Sequence, residues 1–293
     1  MDLTLVITTY KRPEQLTRAL RSAEQLRPCA DLQAELLVVD NNSPPDTRAT
    51  FEAAAAHWQG MPLRYAFEPR QGVSHARNQA VTKSQASWIA FMDDDQTIDA
   101  EYLDEFERAR HWPGAQCIGG PIRYANAENL PPWLPPLIRT TGQIDLGPEP
   151  QELDPGRTLL KGGNFAVRRE ALQALGGFDS RLGRVGTQLL AAEEDDLQTR
   201  LHAREGKILY WPGLLQWNHL EPEKRTKAYW RRHALGYGRT QRLRLGPNAR
   251  VRPWMLRELA TSMALWLYHC VRDSPTTFEL ELRVWEIAGV LQG

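Results

Sequence analysis

The chain has 293 residues, enough for one large domain or a domain with an extension. Lys and Arg number 36 and Asp and Glu number 36, so the formal net charge is zero, which argues against a general nucleic-acid binder. Cys29, Cys117 and Cys270 are far apart and form no CxxC pair, which fits a reducing cytoplasm and gives no support for zinc.

The opening Met1-Asp2-Leu3-Thr4-Leu5-Val6-Ile7 lacks the basic start and long apolar core of a signal peptide. No stretch of about 18 uncharged apolar residues predicts a spanning helix. Leu3 to Tyr10 is apolar and β-branched and reads as a first strand. Lys11-Arg12-Pro13 breaks it, and Leu16, Ala19, Leu20, Ala23 and Leu26 then recur at helical spacing. Glu35 to Asp40 is a second strand that ends in an acid. A helix over about 46–57, a short strand Leu63 to Phe67 and a helix opening at Gly72 follow. The alternation predicts an α/β fold with a doubly wound, mostly parallel sheet.

Trp88-Ile89-Ala90-Phe91-Met92 then runs straight into Asp93-Asp94-Asp95. The apolar run reads as a buried strand, which puts three carboxylates at its C-terminal end, where open α/β sheets bind ligands. Three adjacent like charges repel, and burying them is costly without a cation. Two readings follow: a Mg²⁺ or Mn²⁺ site that in turn holds phosphates, or an exposed acidic loop. Thr8, Thr9 and Asp40 also end strands and converge on the same crevice. A carboxylate such as Asp40 can accept hydrogen bonds from a base or a ribose hydroxyl. Neither GxGxxG nor GxxxxGK[ST] is present to cradle phosphates.

A helix from Asp99 to about His111 and a strand over 116–121 come next. Residues 122–160 lack periodicity and read as a long loop, with Trp133 among four prolines as either a substrate platform or a core cap. Gly162-Gly163-Asn164 allows close backbone approach to a ligand. Glu193-Glu194-Asp195-Asp196 opens a helix. Acids suit a helix start, but four exceed what capping needs, so one cluster can hold metal while the other handles a proton. His219 lies beyond a further strand. The tail is basic and aromatic from Lys224 onward, and 254–271 and 277–291 read as amphipathic helices, more often packed or dimer-forming than membrane-anchoring.

The set Val6-Ile7-Thr8-Thr9-Tyr10, Val38-Val39-Asp40-Asn41-Asn42-Ser43, Gly72 with Ala76-Arg77-Asn78, Phe91-Met92-Asp93-Asp94-Asp95, Gly162-Gly163-Asn164, Gly177-Phe178-Asp179, Glu193 to Leu197 with Arg200-Leu201, and His219 resembles the family 2 glycosyltransferases. The resemblance implies a GT-A fold over 1–222, with a nucleotide-binding half (1–121), an acceptor half (122–222) and a helical extension over 223–293. It implies inverting, metal-dependent transfer from a nucleoside-diphosphate sugar, UDP-sugars favoured, to a glycan, lipid-linked or small-molecule acceptor, in the cytoplasm or at the inner membrane face. Thr8, Thr9, Tyr10, Asp40, Arg77, Asp93 and Asp94 would bind the nucleotide sugar. Asp95, Asp93 and His219 would hold Mn²⁺ or Mg²⁺, and Trp133, Gly163 and Asn164 would lie on the acceptor side. Glu194 stands at the base position, with Glu193 and Asp195 as alternatives. A non-catalytic sugar-nucleotide or glycan binder and a nucleotidyltransferase are the competing readings.

Overall fold

The computed structural model describes residues 1–186, 188–246, 253–271 and 277–292. The chain forms two compact units. The first comprises 1–126, 142–180 and 193–219. Its main sheet is built on β1 (Leu3–Thr9), β2 (Ala34–Asp40), β3 (Leu63–Phe67) and β4 (Trp88–Asp93), in the order β3-β2-β1-β4 and all parallel. Helices α1 (Pro13–Glu24), α2 (Pro45–Ala55) and α3 (Val73–Lys83) make the crossovers. Strands β1, β2 and β4 are buried on both faces, which is why they read as near-continuous apolar runs. Proline opens both α1 and α2, where its missing N–H costs nothing.

After β4 come β5 (Gln96–Ile98), α4 (Tyr102–Ala109), β6 (Ala115–Gly119) and β7 (Ile122–Tyr124). The long loop expected over 122–160 is instead interrupted by β7, α5 (Leu134–Thr141) and β8 (Gln151–Leu153). Pro135 and Pro136 lie in the first turn of α5, where no intrahelical N–H is needed, and Leu134 and Ile138 are buried one turn apart. The prolines therefore start a helix rather than exclude one.

Next come β9 (Phe165–Arg168), α6 (Arg169–Ala174), α7 (Glu193–His202), β10 (Lys207–Tyr210) and β11 (Gln216–Asn218). Strand β9 inserts antiparallel between β4 and β6, and the eight-stranded sheet ends β6-β10-β8. A second sheet, β5-β11-β7, pairs Asn218 with Gln96. The sheet is mixed but mostly parallel.

The second unit gathers 127–141, 181–192 and 220–293. It contains α5 and three helices, α8 (Lys227–Leu245), α9 (Pro253–Val271) and α10 (Thr277–Gln292). Helix α10 packs on both α8 and α9. The backbones of α8 and α10 meet at Gly238 and Gly289: a Cβ on Gly238 would lie 1.9 Å from the Glu286 carbonyl oxygen, and one on Gly289 would lie 2.2 Å from that of Leu235.

Candidate active site

The site is assembled within the first unit at the C-terminal ends of β1, β2 and β4. Register places Thr8 opposite Asp93 and Thr9 opposite Asp40. Thr9 Oγ1 donates to Asp94 Oδ2 at 2.9 Å. Arg12 reaches Asp94 Oδ1 at 3.0 Å and Asp95 Oδ2 at 3.3 Å. Burial pushes the Asp94 carboxyl up to about 6, against the pull of Arg12 and with the push of Asp95. The triplet is therefore not one exposed acidic loop. Asp94 and Asp95 are buried, while 40% of the Asp93 side chain is open to solvent.

Arg77, on α3, is the hub. Its Nη1 donates to Glu193 Oε1 at 2.8 Å, and its Nη2 donates to Gly162 O at 2.8 Å and Asp93 Oδ1 at 3.3 Å. The guanidinium is held among Phe91, Phe165 and Phe178, with ring centroids 5.7, 5.7 and 5.6 Å away. One buried cation thus joins the end of β4, the start of α7 and the 161–163 turn. Its charge faces three carboxylates, Asp93, Glu193 and Glu194. One positive charge does not balance three negative ones away from water. Burial first, and the neighbouring Glu194 second, push the Glu193 carboxyl up to about 8 despite the Arg77 contact.

Glu194 is half-buried and accepts from Gly162 N at 3.2 Å. The glycine pair fits this arrangement tightly. A Cβ on Gly162 would lie 2.9 Å from Glu194 Oε1, and one on Gly163 would lie 2.3 Å from Gln96 Nε2. Gln198, one turn along α7, accepts from Leu160 N and donates to Leu160 O, which fixes the approach to the glycine turn. Asp195 is also half-buried, and its backbone oxygen accepts from Thr199 Oγ1.

Asp40 is buried, and its oxygens accept from Ser43 N and Tyr65 OH. The Tyr10 hydroxyl accepts from Gln71 Nε2. Asn164 is fully buried. Its amide donates to Pro121 O and Leu214 O and accepts from Gln216 Nε2, with the Tyr102 hydroxyl 3.5 Å away, so its polar atoms are spent on joining the two sheets. Trp133 belongs to the second unit, where it meets Phe278 edge-on at 4.8 Å.

His219 is brought to the acidic triplet by β11: its backbone N donates to Asp95 O at 2.8 Å, and its Nε2 lies 3.1 Å from Thr97 Oγ1. Two carboxylates and an imidazole are donors that suit Mn²⁺ or Mg²⁺, and the buried acids favour a cation beside them. Among the described residues, no three His, Cys, Asp or Glu side chains already form a metal-holding cluster. The residue types fit a dication, while Arg12 supplies positive charge at Asp95. Sequence reasoning passed over Arg12, Gln96 and Gln198. Arg12 is legible as a cation directly after β1, but in sequence it marks only a strand break.

The model of glycosyl transferase family 2 matches residues 4–176, which span β1 to the turn after α6. The chain belongs to this family. The resemblance read from the motifs is thereby borne out, as is the expected sheet. Succinoglycan biosynthesis protein ExoM of Rhizobium meliloti (strain 1021) is 28% identical over 236 residues, 78% of this chain and 70% of that protein. Glucosyl-dolichyl phosphate glucuronosyltransferase of Haloferax volcanii is 22% identical over 164 residues, 56% of this chain and 52% of that protein. Among solved structures, mannosyltransferase PcManGT from Pyrobaculum calidifontis, in complex with GDP-Man and Mn²⁺, superposes with a TM-score of 0.64 at 16% identity, covering 99% of this chain and 86% of that one. S. aureus TarS 1-349 in complex with UDP-GlcNAc gives 0.60 at 13% identity, covering 100% of this chain and 92% of that one. The family 2 chain thus has a GT-A fold and is a glycosyltransferase.

Proposed function

We propose that the protein transfers a sugar from a nucleoside-diphosphate sugar to an acceptor hydroxyl with inversion, in the synthesis of a polysaccharide or a lipid-linked glycan. The observation that carries this reading is the Arg77 bridge: it sets Asp93, at the strand end, and the α7 carboxylates Glu193 and Glu194 around one buried guanidinium. Support for the product class comes from the relatives, one named for succinoglycan biosynthesis and the other for transfer to glucosyl-dolichyl phosphate. UDP-sugars remain the favoured donors, and similar solved structures are complexes with UDP-GlcNAc and with GDP-Man.

In this reading Thr8, Thr9, Tyr10, Asp40 and Arg77 line the nucleotide side, and Asp94 is positioned by Thr9 and Arg12. Asp93, Asp95 and His219 would hold the divalent cation, which offsets the negative charge on a departing diphosphate. Glu194 takes the acceptor proton as the hydroxyl attacks the anomeric carbon from the face opposite the leaving group. Its carboxylate is seated by Gly162 N and left partly open to solvent. Glu193 is buried and tied to Arg77, so it is the weaker candidate for a base that must meet an acceptor. Gly163 and Asn164 shape the floor beneath the acceptor. Three unpaired thiols fit action on the cytoplasmic side.

The deciding experiment incubates the protein with UDP-, GDP- and dTDP-sugars, with Mn²⁺ or EDTA, and follows donor binding and nucleotide release. EDTA-sensitive binding and release of a nucleoside diphosphate are expected. Release of pyrophosphate would indicate a nucleotidyltransferase instead. Binding without turnover, over a broad acceptor panel, would leave a sugar-nucleotide binder of the same fold.

A further inference from the structure

The second unit carries a charge and an apolar face that the reaction does not use. From Lys224 to Arg257 the sequence has eleven Lys and Arg and no Asp or Glu, so the rest of this neutral chain carries a net charge of −11. Arg231 and Arg232 pair with Glu281 and Glu223. Further along, Arg244 and Arg257 are exposed, and no acid pairs with either among the described residues. The end of α8 also exposes Leu243 and Leu245 beside Arg244.

Helix α9 follows in sequence. Leu259 to Tyr268 holds no charged residue, and α9 turns one face to α10, where Glu258 pairs with Arg283 and Ser262 is buried. The outward face exposes Leu256 (55%), Met263 (42%) and Leu267 (56%), spaced seven and four residues apart on one side of the helix. Tyr268 (51%) and Arg257 flank that stripe. A stripe of large apolar side chains kept in contact with water marks an interaction surface.

We propose that this face of α9, with Arg257 on its flank and Arg244 at the end of α8, docks on the surface of an anionic phospholipid bilayer. Charge selects this occupant. A twofold contact between two copies would set the same patch against itself and bring like charges together. Acidic headgroups neutralise the arginines, and the acyl boundary takes Leu256, Met263 and Leu267. Among the described residues, no helix is long and apolar enough to cross a bilayer, so α9 lies in the interface. This inference stands on the second unit alone and is independent of the reaction read above.

The test is co-sedimentation of the full chain with vesicles of phosphatidylcholine, alone or mixed with phosphatidylglycerol, at low and high salt. The parent chain should sediment with the mixed vesicles, weakly with neutral ones, and less as salt rises. Arg244→Ala/Arg257→Ala should weaken partitioning by about fivefold per arginine. Met263→Glu/Leu267→Glu should abolish it. Donor binding should be unchanged in both variants, which shows that they are folded and separates failure here from failure of the catalytic reading. No sedimentation with the mixed vesicles, equal sedimentation with neutral ones, or variants that partition like the parent would overturn the proposal. So would a parent dimer in light scattering that both variants dissolve without any change in vesicle binding.

Discussion

Arg77 Nη1 and Glu193 Oε1 lie 2.8 Å apart in a pocket closed to solvent on both sides of the pair. The contact spans 116 residues of sequence and ties α3 to the first turn of α7. Removing Arg77 leaves Asp93, Glu193 and Glu194 without their shared cation, and an uncompensated buried charge typically costs about 3–5 kcal/mol. Arg77→Met should therefore lose about that much stability in urea unfolding. Adding Glu193→Gln should change that loss little at neutral pH, because the raised Glu193 carboxyl already carries its proton there. A single variant within experimental error of the parent would show that the pair is not made.

Glu194 and Glu193 are neighbours with different surroundings, and that separates their variants. Glu194→Gln keeps the shape beside Gly162 but cannot take a proton, so turnover should fall by about 10²–10⁴. Donor affinity by calorimetry should hold. Glu193→Gln still accepts from Arg77 and should lower turnover by much less. The reverse order of effects would move the base to Glu193, and full activity in both would point to Asp195.

The parallel half of the fold was legible because apolar runs at Leu3, Leu36 and Trp88 alternate with helix-spaced leucines and alanines. Strand β9 was not. Phe165-Ala166-Val167-Arg168 is only four residues long and closely follows two glycines, too short a run to announce a central antiparallel strand. The acidic clusters stood out in sequence, whereas the partners that organise them did not. Arg12 and Arg77 are single cations whose placement depends on tertiary contacts, and Asn164 looks like a ligand residue until its four hydrogen-bonding contacts to buried backbone and side-chain groups are traced.

Gly162 and Gly163 should respond differently to alanine. A Cβ on Gly163 would meet the Gln96 amide at 2.3 Å, and Gln96 is itself buried and accepts from Asp93 N. Overpacking of that kind costs about 1–3 kcal/mol, so Gly163→Ala should lower the unfolding midpoint. At Gly162 the added methyl meets Glu194 Oε1, the far end of a side chain that can swing away. Gly162→Ala should therefore leave stability nearly unchanged while reducing turnover. Equal stability losses in the two variants would count against this account.

The raised Glu193 carboxyl makes a signed prediction for stability against pH. Its folded value is about 8, and an unfolded glutamate titrates at about 4.3. The folded chain therefore binds the proton more tightly than the unfolded chain does. This group's contribution is fully present below about pH 4 and is lost as pH rises toward about 8. Other carboxylates contribute their own slopes, so the quantity to measure is the difference between the parent and Glu193→Gln. Relative to that variant, the parent should lose about 1 kcal/mol or more between about pH 5 and about pH 7.5. Parallel stability curves would mean that Glu193 is ionised beside Arg77 throughout, and the three-acid, one-cation imbalance would then have to be relieved at Asp93 or Glu194.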